Sequence, residues 1–324
     1  MINRRSLLGA GGLALALPAI HARAQEAWPS KPIRIVVGFA AGGATDISTR
    51  VMQPKLTALL GVPVVIDNRP GAGGNLATET VVRSPPDGST FLMGTIGALA
   101  INPSLYASLP FDPQADLTPV AMAGNVLNVL VVPTDRPWKS VAELIAAAKA
   151  RPDTITYGSS GVGGAGHLAG ALLDRMAGIS TVHVPYRGGG PMMTDLIGGK
   201  VDYAFSTAPT ALPQVQSGRL RLLAVPTAQR IRAQPDVPAV AETLPGYEVQ
   251  NWYALVGPKG LSPAIVTRMN AAMREALADP TVSASLEGQG VEPLPSSPEE
   301  LARFIREETE KWAPIVRATG ARVE

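Results

Sequence analysis

Cysteine is absent from this chain, which excludes disulfides, thiolate metal sites and anchoring through a lipidated cysteine. Histidine occurs only three times in 324 residues, so a dedicated metal centre or a serine-hydrolase base has little to draw on. Aromatic residues make up 5% and charged residues 17%. No polybasic run appears, and the electrostatic footprint of nucleic-acid or membrane-surface binding is missing. There is also no low-complexity tract and no linker-like block. A chain of about 300 residues without covalent staples must hold together by its core, and that length favours two lobes over one.

What is present begins with an export signal. Arg4 and Arg5 precede an apolar run from Leu7 to Ile20, and Ala22-Arg23-Ala24 stands before Gln25. The run is shorter than the roughly 20 residues of a membrane span, so a secretory leader cleaved after Ala24 is expected, without membrane insertion. Arg4-Arg5-Ser6-Leu7-Leu8 resembles a twin-arginine signal, and the export route stays open between that and the general secretory one. Lys and Arg total 28 against 26 Asp and Glu, net +2. Losing Arg4, Arg5 and Arg23 leaves 25 against 26, net −1, so the basic pI belongs largely to the leader.

Strand and helix signals then alternate. Ile33–Val37 reads as a buried strand, followed by a helix from Thr45 to Leu60. A strand at Val62–Ile66 leads through a glycine turn into a helix ending at Arg83, and Thr90–Met93 is a third strand. The pattern restarts at Val129–Val132, with Ser140 and Glu143 spaced as a capping box. Ile155–Tyr157, Val182–Val184, Val201–Phe205 and Leu220–Val225 supply further strands. After a strand at Val249–Val256 come C-terminal helices opened by Ser262-Pro263 and by Ser297-Pro298-Glu299-Glu300. In the last helix Leu301, Phe304, Ile305, Glu308, Trp312, Ile315 and Val316 share one face, apolar but for Glu308, so it should dock on a lobe. Repeated βα units predict an α/β fold built on mostly parallel sheets flanked by helices.

Two stretches carry the chemistry. Gly38-Phe39-Ala40-Ala41-Gly42-Gly43-Ala44-Thr45-Asp46 runs from a strand through glycines into a helix, and Tyr157-Gly158-Ser159-Ser160-Gly161-Val162-Gly163-Gly164-Ala165-Gly166-His167 repeats the idea. Each places unpaired backbone N–H groups at the positive end of a helix, a ready anion site. Two such sites suggest a two-jawed clamp. Asp46 can cap its own helix or touch the ligand, and His167 can pack, cap or face the ligand. The second stretch also satisfies G-x-G-x-x-G from Gly161 to Gly166, the dinucleotide fingerprint, which keeps an NAD(P)-dependent oxidoreductase as the alternative. Against it, Pro185-Tyr186-Arg187 stands where a ribose-binding acid belongs. Gly158-Ser159-Ser160-Gly161 is not a nucleophile elbow. The expected activity is binding, with neither catalysis nor a cofactor nor a metal.

Trp28-Pro29-Ser30-Lys31-Pro32, Gly42-Gly43-Ala44-Thr45-Asp46, Asn68-Arg69-Pro70-Gly71-Ala72-Gly73-Gly74-Asn75, Pro86-Asp87-Gly88, Tyr157-Gly158-Ser159-Ser160-Gly161, His167-Leu168-Ala169-Gly170, Val184-Pro185-Tyr186-Arg187-Gly188 and Lys311-Trp312-Ala313 follow one another in the order seen in a known family. Together they resemble the Bug (TctC-like) family of periplasmic solute-binding proteins of tripartite tricarboxylate transporters. The resemblance covers essentially all of the chain after the leader. It implies a two-lobed periplasmic-binding-protein (Venus-flytrap) fold, with residues 25–126 and 249–324 as lobe 1 and residues 127–248 as lobe 2. It also implies a periplasmic location, a monomer, a small carboxylate gripped between the two glycine loops, and delivery to membrane permease subunits. The candidate ligand contacts are Phe39, Ala41, Gly42, Gly43, Ala44, Thr45, Asp46, Ser159, Ser160, Gly163, Gly164, His167, Tyr186, Ser206 and Thr207. Where many relatives carry Asp-Asn after a phenylalanine, this chain has Phe205-Ser206-Thr207. The missing acid points to a plain carboxylate rather than an amino acid. Gly164 also replaces a common hydroxyl, leaving a backbone N–H to substitute.

Overall fold

In the computed structural model, residues 28–231, 235–319 and 322–323 are described; the leader and its cleavage point lie outside them. The strands are β1 (Ile33–Val37), β2 (Val64–Asn68), β3 (Thr90–Thr95), β4 (Leu117–Val126), β5 (Asn128–Pro133), β6 (Thr156–Ser159), β7 (Val182–Pro185), β8 (Tyr203–Thr207), β9 (Leu220–Ala224), β10 (Trp252–Pro258) and β11 (Val291–Pro293). The α-helices are α1 (Ala44–Leu60), α2 (Asn75–Val82), α3 (Asn102–Leu105), α4 (Pro113–Asp116), α5 (Val141–Ala150), α6 (Ala165–Ala177), α7 (Gly189–Ile197), α8 (Ala208–Gln216), α9 (Pro263–Ala278), α10 (Pro280–Gly288) and α11 (Pro298–Thr319).

The strands sort into two sheets, ordered β11-β4-β10-β3-β1-β2 and β7-β6-β8-β5-β9. Each contains three parallel strands, β2-β1-β3 in one and β7-β6-β8 in the other, as βα units require. The sheets are mixed, because the strands through which the chain crosses between lobes run antiparallel to their neighbours: β10 beside β3 and β4, and β5 beside β8 and β9. The ten-residue β4 has no counterpart among the strands expected from sequence. Pro119 and Gly124 inside it read as strand breakers. Gly124 is required there, since a Cβ would lie 2.4 Å from the Glu292 carbonyl oxygen of the adjoining β11.

Both crossovers run side by side. The Val126 N–H donates to the Asn251 carbonyl at 2.9 Å, and Asn251 Nδ2 donates to Asn128 Oδ1 at 3.3 Å. One core lies between the first sheet and α1, α9 and α10, built on Ile35, Val37, Met52, Leu56, Met93, Leu255, Met269 and Met273. A second covers the α7–α8 face of the other sheet, with Val129, Val131, Met192 and Leu196. The third is shared by both sheets: Leu92, Ile96, Leu99 and Trp252 are continuous with Leu130, Tyr157, Leu168 and Tyr203.

The terminal helix completes that shared core. Ser297 and Glu300 form a full capping box: the Glu300 N–H donates to Ser297 Oγ at 3.1 Å, and the Ser297 N–H to Glu300 Oε2 at 2.8 Å. The pair at Ser140 departs from that scheme, because Glu143 accepts from the Lys139 N–H instead of from that of Ser140. The lone polar residue on the buried face of α11, Glu308, is satisfied by two indoles, Trp252 Nε1 at 3.0 Å and Trp312 Nε1 at 3.2 Å from its Oε2. This clip ties α11 to β10 just beyond the second crossover. Among the described residues no helix is long and apolar enough to cross a membrane.

Trp312 is fully buried. Trp312→Ala should therefore cost about 3–5 kcal/mol in equilibrium urea unfolding, since it opens a cavity and takes one donor from Glu308. A loss below about 1 kcal/mol would show that α11 does not seal this core.

Candidate functional site

Ligands of open α/β sheets sit outside the carboxyl ends of the parallel strands. Here the carboxyl ends of β1, β3, β6 and β8 face one cavity between the two sheets, together with the amino ends of the antiparallel β5 and β10. About 540 Å³ there is unfilled by atoms, counting the part open to solvent. Among the described residues no Asp, Glu, Lys, Arg or His lines it.

What it has instead is backbone. Gly43, Ala44 and Thr45 at the start of α1, Gly164, Ala165 and Gly166 at the start of α6, Gly189 at the start of α7 and Thr207 at the N-cap of α8 all line it. None of these four helices has a side-chain N-cap. Five of the remaining seven do, through Asp112, Ser140, Ser262, Asp279 and Ser297. The first N–H groups of a helix have no partner within it, so α1, α6 and α7 turn such donors and their positive dipole ends toward one uncharged space; at α8 the Ala208 N–H already donates to the Leu127 carbonyl at 2.7 Å and Pro209 has none to offer.

Side chains complete the wall. Thr95, Ile96 and Gly97 follow β3, Phe205 and Ser206 precede α8, and Met192 comes from α7. Ser206 Oγ and Thr207 Oγ1 each lie 3.0 Å from Thr210 Oγ1, which donates to the Thr207 carbonyl at 2.9 Å. Asn128 and Asn251 stand where the crossovers pass. Asn128 is 3% exposed and its Nδ2 has no partner, an uncommon state for a buried donor. Tyr253 is pushed up to about 12 by burial, against hydrogen bonds from Thr45 and Asn251, and stays a neutral phenol.

The loops of the two lobes meet over this space. The Ala40 N–H donates to the Arg187 carbonyl at 3.2 Å. A Cβ on Gly97 would lie 2.9 Å from the Gly163 oxygen and one on Gly73 2.3 Å from the Val162 oxygen, so both contacts need glycine. This is a closed arrangement.

Of the residues expected from sequence, Phe39, Gly43, Ala44, Thr45, Ser160, Gly164, Ser206 and Thr207 line the cavity and the other seven do not. Ala41 and Gly42 are exposed at the mouth. Asp46 turns back on its own loop, accepting from the Gly42 N–H at 2.9 Å, Asn68 Nδ2 at 3.0 Å and Arg50 Nε at 2.9 Å. Burial alone would raise its pKa, but the hydrogen bonds from Arg50, Gly42 and Asn68 outweigh it and hold the carboxylate below its usual range. Asp46 therefore shapes the loop.

Ser159 is buried and bonds both the N–H and the carbonyl of Gly161. The Gly163 N–H donates to His167 Nδ1 at 3.2 Å, which turns both residues inward. Tyr186 lines a separate mouth cavity with Arg187 and Tyr106, and its hydroxyl donates to Asp195. Thr95, Asn128, Gly189 and Asn251 are cavity residues that the sequence reading does not single out. The only local signal for the first was a strand end followed by glycine, as at the two loops already recognised.

His167 and His183 are pushed down to about 4 and about 3 by burial, His183 also by the neighbouring His167. Each depressed imidazole refuses protons that the unfolded chain accepts below about 6.5, so stability falls as pH drops from there toward 4. Asp174, pushed up to about 6 by burial, works in the opposite sense. Wild type should lose about 4 kcal/mol more than the H167N/H183Q double variant between pH 6.5 and 4.5 in denaturant unfolding, about 2 kcal/mol from each histidine. Equal losses would mean that the histidines titrate normally.

The profile described as "Tripartite tricarboxylate transporter family receptor" matches residues 48–321. The chain is 36% identical to Protein BugT of Bordetella pertussis over 326 residues, covering 100% of both chains. Among solved structures, R. palustris Rpa4515 with adipate superposes with a TM-score of 0.89 at 36% identity, covering 91% of this chain and 100% of the other. MatC from Rhodopseudomonas palustris with bound malate gives 0.86 at 31% identity, over 89% and 100%.

Proposed function

Because this chain belongs to the family of tripartite tricarboxylate transporter receptors, we propose that it is exported to the periplasm and clamps a small carboxylate between its lobes. The observation that carries this reading is the convergence of the starts of α1, α6 and α7, none with a side-chain cap, on one uncharged cavity. A carboxylate entering it receives N–H bonds from the starts of α1 and α6, with Asn128 Nδ2 and the hydroxyls of Ser206 and Thr207 meeting the rest of the ligand. Charge-assisted bonds contribute about 1.5–3 kcal/mol each. Several of them hold an anion without arginine.

The lining also bears on the class of carboxylate. An ammonium group would be buried without an acid to pair with, at a cost of several kcal/mol, so a plain carboxylate is favoured over an amino acid. Adipate and malate, the ligands of two solved relatives, are the first to test. The closed form, as a monomer with its signal peptide removed after Ala24, then docks on the membrane subunits of its transporter, lobe closure serving as the loaded signal. The NAD(P) alternative has no support among the relatives, which are binding proteins. Gly161–Gly166 forms the second anion loop.

Thermal unfolding of the mature chain against adipate, malate, other mono-, di- and tricarboxylates, amino acids and NAD(P) tests the reading. A ligand at 100 times its Kd adds about 2.7 kcal/mol and should raise Tm by about 4 °C. Shifts confined to carboxylates are expected; a shift from NAD(P) alone would overturn the clamp. Ser206→Asp places a negative charge in the cavity wall and should weaken the best carboxylate at least tenfold, about 1.4 kcal/mol. Unchanged affinity in calorimetry would move the ligand away from β8.

A further inference from the structure

The cradle loop between β6 and α6 is held from behind by the two histidines of the mature sequence. Along it, Ser160 and Gly164 line the cavity, while Ser159, Gly161 and Gly163 direct their bonding groups inward. His167 Nδ1 accepts from the Gly163 N–H at 3.2 Å. His183 Nε2 lies 2.7 Å from Ser159 Oγ. That hydroxyl donates to the Gly161 carbonyl at 3.0 Å and accepts from the Gly161 N–H at 3.2 Å.

The Ser159–His183 contact admits either tautomer; we assign the single Ser159 proton to the Gly161 carbonyl it reaches at 3.0 Å, which makes His183 the donor through Nε2–H. His167 must keep the Nδ1 lone pair free and carry its proton on Nε2. That leaves His167 neutral, and burial disfavours the charged form of His183 as well. They stack at 4.2 Å between centroids and 24° between planes, and Tyr157 and then Tyr203 extend the column at 4.8 and 5.5 Å. The loop they support has Gly161 at φ 144° and Gly163 at φ 83°, shapes that glycine permits but does not impose.

We propose that His167 and His183 are positioning residues for ligand capture: the stacked pair holds the β6–α6 loop in the conformation that presents its N–H groups to the carboxylate. This deepens the clamp reading and rests on it. Neither ring touches the ligand. His167 fixes Gly163 directly, and His183 fixes Gly161 through Ser159. Burial depresses both imidazoles and so keeps the acceptor on His167 available.

The test uses the mature full-length chain in paired variants. His167→Asn keeps an acceptor near Nδ1, whereas His167→Leu removes it; His183→Gln keeps a donor, whereas His183→Leu does not. Adipate and malate affinities are measured by calorimetry, and exchange of the Gly161 and Gly163 amides by NMR without ligand. The leucine variants should bind at least tenfold more weakly and exchange these amides at least tenfold faster, with β1 amides unmoved. The Asn and Gln variants should restore both properties to within about threefold.

Leucine variants that bind and protect like wild type would overturn the proposal. Should they fail to fold, ¹⁵N tautomer signatures of the wild-type imidazoles decide: Nε2–H on both rings with an accepting Nδ1 on His167 is required, and an Nδ1–H His167 refutes it. If wild type binds neither acid while the exchange pattern holds, the positioning stands and the carboxylate reading fails.

Discussion

A helix begins with N–H groups that it cannot satisfy itself, and the site depends on how this protein disposes of them. Away from the cavity a serine or aspartate usually closes the helix start, as at α5, α9 and α10. At the cavity four helices begin without such a cap. Glycine at three of those N-cap positions has no side chain to occupy the donors. The donors at the starts of α1, α6 and α7 are thereby left open to an acceptor from outside the chain, which is what the proposed carboxylate supplies.

That arrangement constrains the surroundings. A lysine or arginine in the wall would compete with the dipoles, and an acid would repel the ligand; the lining has neither. Asp46, next in the chain to the cavity-lining Thr45, is turned back and neutralised by Arg50 and two further donors. Glycines recur where backbone meets backbone across the cleft, at Gly73 against Val162 and at Gly97 against Gly163. The crossovers lie against the cavity through Asn128 and Asn251, which bond each other there.

Much of this was legible in the chain itself. Alternating strands and helices gave the α/β class, the serine-proline starts gave α9 and α11, and the two glycine loops proved to line one cavity at the starts of α1 and α6. The seven expected contacts that do not line the cavity share one cause. Sequence shows which residues occupy a loop but not which way each group turns, and along residues 159–164 the direction alternates. Asn128 and Asn251 are 123 positions apart and carry no local signature. β4 was hidden by Pro119 and Gly124, whose tolerance depends on neighbouring strands that no local pattern reveals.

Sequence alone therefore determined most of the elements, though not β4, together with the absence of cysteine chemistry and the glycine starts of α1 and α6, because propensity, capping and hydrophobic period are local properties. Tertiary structure decided that four helix starts converge, that Asp46, Ser159 and His167 face inward, that Glu308 is clipped between Trp252 and Trp312, and that two crossover asparagines back the cavity. Those facts depend on register and packing between segments distant in the chain, and the burial that sets each group's charge and direction exists only once the segments have met.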